Sequence, residues 1–202
     1  MSIEQQIADL LEDFEEFDED IRETAKEELI AIGEPAIPQL IDTLGHNLYE
    51  VADQAADVLA AIGEPAIPPL IDELEDTARH QAYAITSALT RIGEPAIPVL
   101  LKAATNRVNE ELREYAVRAL GGMGTKATSA IPTLIEALSD PEDEVRTYAA
   151  YALSKMEAAA ADAVPALIQA LDDESDRVKH HVAFALSKIG TPEARNALKG
   201  VS

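Results

Sequence analysis

One seven-residue phrase, Ile-Gly-Glu-Pro-Ala-Ile-Pro, stands three times without change, beginning at Ile32, Ile62 and Ile92, 30 residues apart each time. Fainter copies follow at Met123-Gly124…Ile131-Pro132, Met156-Glu157…Val164-Pro165 and Ile189-Gly190-Thr191-Pro192. A unit this short cannot bury its own apolar face, so a chain made of such units hides it by laying each unit on its neighbour. The repeat therefore predicts a stacked array rather than a globule wrapped around one centre.

Each copy reads as two helices. The second, or B, helix aligns on the column Gly33, Gly63, Gly93, Gly124, Glu157, Gly190. Four residues before it stands leucine every time: Leu29, Leu59, Leu89, Leu120, Leu153 and Leu186. Eight before it stand Ala25, Ala55, Ile85, Ala116, Ala149 and Val182; twelve before it stand Ile21, Val51, Gln81, Leu112, Val145 and Val178. These spacings trace one stripe of an α-helix, with small residues for close approach and leucines for bulk.

Glycine just past the stripe suits the left-handed position that closes a helix. The proline beyond it cannot continue the old helix but fits the first turn of a new one. The first, or A, helices then run from Ile37-Pro38, Ile67-Pro68, Ile97-Pro98, Ile131-Pro132 and Val164-Pro165. No window alternates with period two, so no sheet is expected. Glu157 breaks the glycine column and predicts a looser or distorted joint there.

These residues resemble the HEAT-like repeats of the phycobilisome-lyase type. The best copy is Asp140-Pro-Glu-Asp-Glu-Val145-Arg146-Thr-Tyr-Ala149-Ala150-Tyr-Ala152-Leu153, and Arg22, Arg113, Arg146 and Lys179 fill the family's basic position, from which Ala52 and Ala82 depart. The resemblance implies an all-α fold, a right-handed α–α superhelix of about six helical-hairpin repeats. The expected organisation is a single α-solenoid over 1–202: a capping repeat at 1–33, repeats at 34–63, 64–93, 94–124, 125–157 and 158–190, and a shortened capping helix at 191–202. Tethering of adjacent repeats through acidic loop residues such as Asp140 and Asp173 is the expected task of the repeated Arg or Lys.

Charge narrows the partners. Net charge is −22, and residues 1–78 carry 22 acidic against 2 basic side chains. Such a field repels phosphate backbones, which argues against nucleic acid. No apolar run reaches the roughly 20 residues that cross a bilayer, and the first residues, Met1 to Gln6, show no secretory pattern, so a monomer in the cytoplasm is expected. Ile3, Ile7, Leu10 and Leu11 predict a helix, followed by the acidic run Glu12 to Asp20 around Phe14 and Phe17. A partner with a basic surface could face this half.

No catalytic, cofactor or metal residue is expected. Cysteine is absent, which removes thiolate ligands and nucleophiles. Asp176 and His180 are one helical turn apart, but two ligands do not make a metal site. The His-Glu dipeptides of deoxyhypusine hydroxylases, helical metalloenzymes with similar repeats, are missing. Gly121-Gly122-Met123-Gly124 follows a helix rather than a strand, so it reads as the repeat's own turn and not as a phosphate loop.

The candidate site lies on the B helices, thirteen, nine, six and two residues before the glycine column. The early repeats place Asp20, Thr24 and Glu27, then Glu50, Gln54 and Asp57, then His80, Ala84, Ser87 and Arg91 there. The later ones place Tyr115 and Arg118, then Tyr148, Tyr151 and Lys155, then His181, Phe184 and Lys188. Tyr, Phe and Arg concentrate where proteins grip one another, because rigid amphipathic area binds at small entropic cost. The expected function is a non-enzymatic scaffold binding a partner protein through a concave B-helix face, with Arg91, Tyr115, Arg118, Tyr148, Tyr151, Lys155, His181, Phe184 and Lys188 as contacts. The competing expectation, packing of Tyr115 and Tyr148 between repeats, applies to that row alone. The resemblance also implies an alternative, a bilin-lyase accessory factor that handles a tetrapyrrole or its carrier protein, with bilin as ligand.

Overall fold

A computed structural model describes residues 1–76 and 79–200, the side chains of 76, 79 and 80 excepted, so the stripe position His80 and the last two residues of the expected capping helix lie outside the described residues. The chain divides into two compact units, Met1–Ala96 and Ile97–Ser202. Among the described residues there is no strand.

The first unit runs α1 (Ile3–Glu12), α2 (Glu19–Ile32), α3 (Ile37–Thr43), α4 (Tyr49–Ile62), α5 (Ile67–Asp76) and α6 (Arg79–Ile92). The B helices α2, α4 and α6 pack in succession, and α3 and α5 lie beside them, with α1 against α2 and α3. The second unit runs α7 (Ile97–Ala104), α8 (Glu110–Gly122), α9 (Ile131–Ala137), α10 (Asp143–Lys155), α11 (Val164–Gln169), α12 (Asp176–Ile189) and α13 (Pro192–Leu198). Here α8, α10 and α12 form the B row, paired with α7, α9 and α11, and α13 packs against α11 and α12.

The leucine column is the spine of both units: all six leucines are fully buried. So are Ala25, Ala55, Ile85, Ala116, Ala149 and Val182 one turn earlier. Removing the bulk of one such leucine leaves a cavity that costs about 2–5 kcal/mol. Ile21 departs from its column and is 40% exposed.

Four joints close on a glycine with positive φ, Gly190 in the left-handed helical region and Gly33 and Gly63 with ψ −133°. The amide of Gly33, Gly63, Gly93 and Gly190 donates to the carbonyl of the column leucine at 3.1, 3.0, 3.2 and 3.0 Å. Glycine tolerates the positive φ that this closure requires, from 65° to 80° at these four positions. After Gly33, Gly63 and Gly93, Glu-Pro-Ala makes one short 3₁₀ turn and the Ile-Pro pair enters the next A helix, whereas after Gly190 Thr191 caps α13 directly. Joints four and five differ. Three extra residues precede Ile131 and Val164, and the stretches Gly124–Ala130 and Glu157–Ala163 each hold two 3₁₀ turns joined at a kink, at Ala127 and Ala160.

The joint at Glu157 is locally distorted, as the broken column predicts: Glu157 takes φ 51°, the one positive φ outside glycine among the described residues, and Ala160 departs from helical geometry. The preceding joint has the same form, with Gly124 at φ 56° and a kink at Ala127. A glutamate thus stands at a φ that favours glycine.

Two arginines fasten neighbouring hairpins, as their position in the repeat predicts. Arg113 on α8 donates to Asp140 before α10 at 2.7 and 2.9 Å, and Arg146 on α10 donates to Asp173 before α12 at 2.8 and 3.0 Å. Their side chains are only 7–10% exposed. Lys179 instead pairs with Asp176 on its own helix at 2.6 Å.

Candidate functional site

The second unit gathers most of the candidate side chains on its B row. On α10, Tyr151 and Lys155 are one turn apart, and the Lys155 ammonium stands 5.1 Å from the Tyr151 ring centre. On α12, Phe184 and Lys188 repeat the arrangement at 5.3 Å. The 33-residue step from one pair to the next is the repeat itself. Across α8 and α10, Arg118 lies 5.3 Å from the Tyr148 ring centre and donates to its hydroxyl at 3.2 Å. Between α10 and α12, Tyr151 and His181 meet edge to face at 6.1 Å. The result is a ladder of rings, each accompanied by a cation or another ring, and such contacts hold side chains in place before anything binds.

Phe184 is 41% exposed, an unusual state for a phenylalanine, and Lys155 and Lys188 are also exposed. Tyr148, Tyr151, Arg118 and His181 are half-buried. Burial pushes the His181 imidazole below its ordinary value, and the neighbouring His180 and Arg177 charges push it the same way. His181 is therefore neutral near pH 7. Beyond the ladder, Arg177 pairs with Glu144 and donates to the Thr147 hydroxyl at 3.3 Å.

Two expected contacts belong elsewhere. Tyr115 is 2% exposed, so it is packing and not surface; the expectation that it meets a partner is corrected. The row nine residues before the glycine lies on the flank where adjacent B helices meet, which buries Tyr115 and half-buries Tyr148. Arg91 lies in the first unit, where it pairs with Asp53 and Asp57 of α4.

Sequence reasoning passed over exposed apolar side chains at the loops entering the B helices. Leu48 is 53% exposed, Tyr49 79% and Val108 95%. The available signal was apolar residues in segments where the repeat otherwise carries polar ones. No metal cluster is formed by the described residues. Asp176, half of the pair considered for a metal, bonds Lys179. Among the described residues, no helix is long and apolar enough to cross a membrane.

No curated protein matches the chain. Among solved structures it is similar to the complex of CpcE and CpcF of phycocyanin lyase from Nostoc sp. PCC7120, at 27% identity over 75% of this chain and 98% of that one, TM-score 0.56. A designed armadillo repeat protein in complex with the peptide (KR)4 shares the fold at 19% identity, covering 91% of this chain and 99% of that one, TM-score 0.51. An engineered protein shares it at 20% identity over 94% and 99% of the two chains, TM-score 0.52. The profile of HEAT repeats matches residues 37–121, 97–161 and 131–201. The chain, an all-α solenoid of helical hairpins, belongs to the HEAT-repeat family.

Proposed function

We propose that this chain is a non-enzymatic scaffold that grips a partner protein with the aromatic–cation ladder on α8, α10 and α12. The carrying observation is the doubled pair Tyr151/Lys155 and Phe184/Lys188, with Phe184 open to solvent beneath its lysine. An exposed ring held by a cation keeps apolar area available while losing little freedom on binding. The first unit, with 23 acidic against 4 basic residues over 1–96, would steer and select the partner by charge.

The test is a pull-down from the native host, comparing the wild type with the double variant Tyr151→Ala, Phe184→Ala at matched thermal stability. Proteins held by the wild type and lost by the variant are the expected result. An identical set of captured proteins would refute the ladder as the binding site.

A second reading is favoured by the likeness to the phycocyanin lyase complex. Under it the chain is an accessory factor for a bilin or its carrier, and Tyr151, His181 and the lysines would contact rings and propionates. Absorbance titration with a free bilin separates the two. A saturable spectral change abolished by His181→Ala supports the second reading, and an unchanged spectrum leaves the first.

A further inference from the structure

The first unit carries a second surface, unrelated to the ladder. Phe17 is 101% exposed, as open as a side chain can be, while Phe14, one turn earlier in the chain, is 2% exposed. In the same unit Ile21 is 40% exposed, Leu48 53% and Tyr49 79%. Phe17 and Leu48 lie in the segments that enter α2 and α4, Tyr49 is the first residue of α4, and Ile21 lies in the first turn of α2.

The two segments are physically joined. His46 Nε2 lies 3.4 Å from Glu15 Oε1, and the Gln54 amide donates to the Phe14 carbonyl at 3.2 Å. Phe17 is two residues from Glu15, and Leu48 two residues from His46, so these contacts bring the segments that carry them together.

Nor does Phe17 hang from a slack loop. The buried Phe14 ring pins the chain on one side. On the other, the Asp18 carboxylate accepts from the Asp20 amide at 3.0 Å and starts α2. Arg22 donates to the Glu16 carbonyl between them. In the second segment, His46 Nδ1 accepts from the Leu48 amide at 3.2 Å and fixes the approach to Tyr49. The backbone is held so that the apolar side chains point into solvent.

Charge says what would cover them. Glu15, Glu16, Asp18, Glu19, Asp20 and Glu50, in these two segments and the helix starts that follow them, are all exposed. Exposed apolar area marks an interaction surface. Set in a field of carboxylates it repels nucleic acid, anionic membranes and acidic partners alike. We infer that this surface docks a basic amphipathic segment of a partner protein, with aliphatic side chains against Phe17 and Tyr49 and Lys or Arg toward the carboxylates. The inference rests on the reading of the chain as a protein-binding scaffold, but it concerns a different surface, and each can fail alone.

The probe is a fluorescein-labelled peptide of Lys-Leu repeats, titrated against the full chain by anisotropy, beside Lys-Ser and Glu-Leu peptides of equal length. The Lys-Leu peptide is expected to bind, more weakly as salt rises. The double variant Phe17→Ser, Tyr49→Ser removes only exposed area, keeps its melting temperature, and should weaken binding about tenfold. Glu16→Gln with Glu19→Gln should weaken it less at high salt than at low. Tyr151→Ala with Phe184→Ala should leave it unchanged, which separates this surface from the ladder. Equal binding of Lys-Ser, comparable binding of Glu-Leu, or full affinity in the Phe17/Tyr49 variant would each overturn the inference.

Discussion

Arg146 holds Asp173 with two parallel N–H···O bonds, Nε to Oδ2 at 2.8 Å and Nη2 to Oδ1 at 3.0 Å, across the step from one hairpin to the next. The Asp173 Oδ1 also accepts from the Ser175 amide at 2.8 Å, so one carboxylate both shapes its own loop and receives the neighbour. Arg146 further donates to the Asp140 and Pro141 carbonyls at 2.9 and 3.0 Å. Asp140 in turn receives Arg113, so the two fastenings are connected.

Removing Asp173 leaves Arg146 with Glu174 at 3.6 Å and two loop carbonyls, but without its forked partner. Asp173→Ala is expected to cost about 1–3 kcal/mol, measured by urea unfolding. Arg146→Lys should also destabilise, because an ammonium cannot reproduce the fork. A loss in Asp173→Ala no larger than that of an ordinary surface variant would show that the pair adds nothing.

Acid should loosen the same joint. Burial pulls the Asp173 carboxyl upward, but hydrogen bonds from Arg146 and the Ser175 amide outweigh it and hold the group below its ordinary 3.8. A carboxyl whose folded value is depressed contributes stability in full above the unfolded value and loses it as pH falls through the folded one. Unfolding free energy should therefore drop below about pH 4, and drop less in Asp173→Asn. Equal acid sensitivity in both proteins would contradict this assignment.

At Gly121, α8 approaches α10 closely. A methyl at Gly121 would stand 2.9 Å from the Ala152 Cβ and 3.0 Å from its Cα. Backbone cannot step aside as a flexible side chain could, so Gly121→Ala should destabilise by about 1–3 kcal/mol from overpacking, against about 1 kcal/mol gained in helix propensity. Denaturant melts of Gly121→Ala would read the difference; a stabilised variant would mean that the two helices can separate at no cost.

Glu157 has the opposite expectation. Among the described residues it is the one non-glycine residue with positive φ. Glu157→Gly should relieve about 1–2 kcal/mol of left-handed strain, reduced by the extra freedom of glycine in the unfolded chain. A higher urea midpoint at unchanged slope is the outcome to look for, and a lower midpoint would show that the Glu157 side chain stabilises the turn.

Tyr115 and Phe184 should part company on truncation. Tyr115→Ala empties a fully packed site and should cost about 3–5 kcal/mol, whereas Phe184→Ala, 41% exposed, should cost well under that. Paired thermal melts decide it: similar losses would mean that Phe184 is part of the core and not of the ladder's open surface.

The helical spine was legible in the sequence because burial there has a period. Leu29, Leu59, Leu89, Leu120, Leu153 and Leu186 occupy one column, and all are buried. The Arg113–Asp140 and Arg146–Asp173 fastenings were legible for the same reason, since a basic residue and an acidic one recur at fixed places. Tyr115 was not, because its row lies where a helix face turns from core to surface, and only the distance to the neighbouring helix decides which it becomes. At Glu157 residue type predicted a distorted joint, and the positive φ there bears it out, but the matching kink at Ala127 after Gly124 had no such signal. The cation over each ring of Tyr151 and Phe184 follows from one-turn spacing, although exposure could not be read from spacing.

Both arginine clasps reach toward the C-terminus: Arg113 lies 27 residues ahead of Asp140, and Arg146 27 ahead of Asp173. During synthesis the catch is therefore made before the latch. When each new hairpin leaves the ribosome, the receiving guanidinium is already displayed on the helix before it, and assembly can proceed in the order of translation without waiting for the far end of the chain.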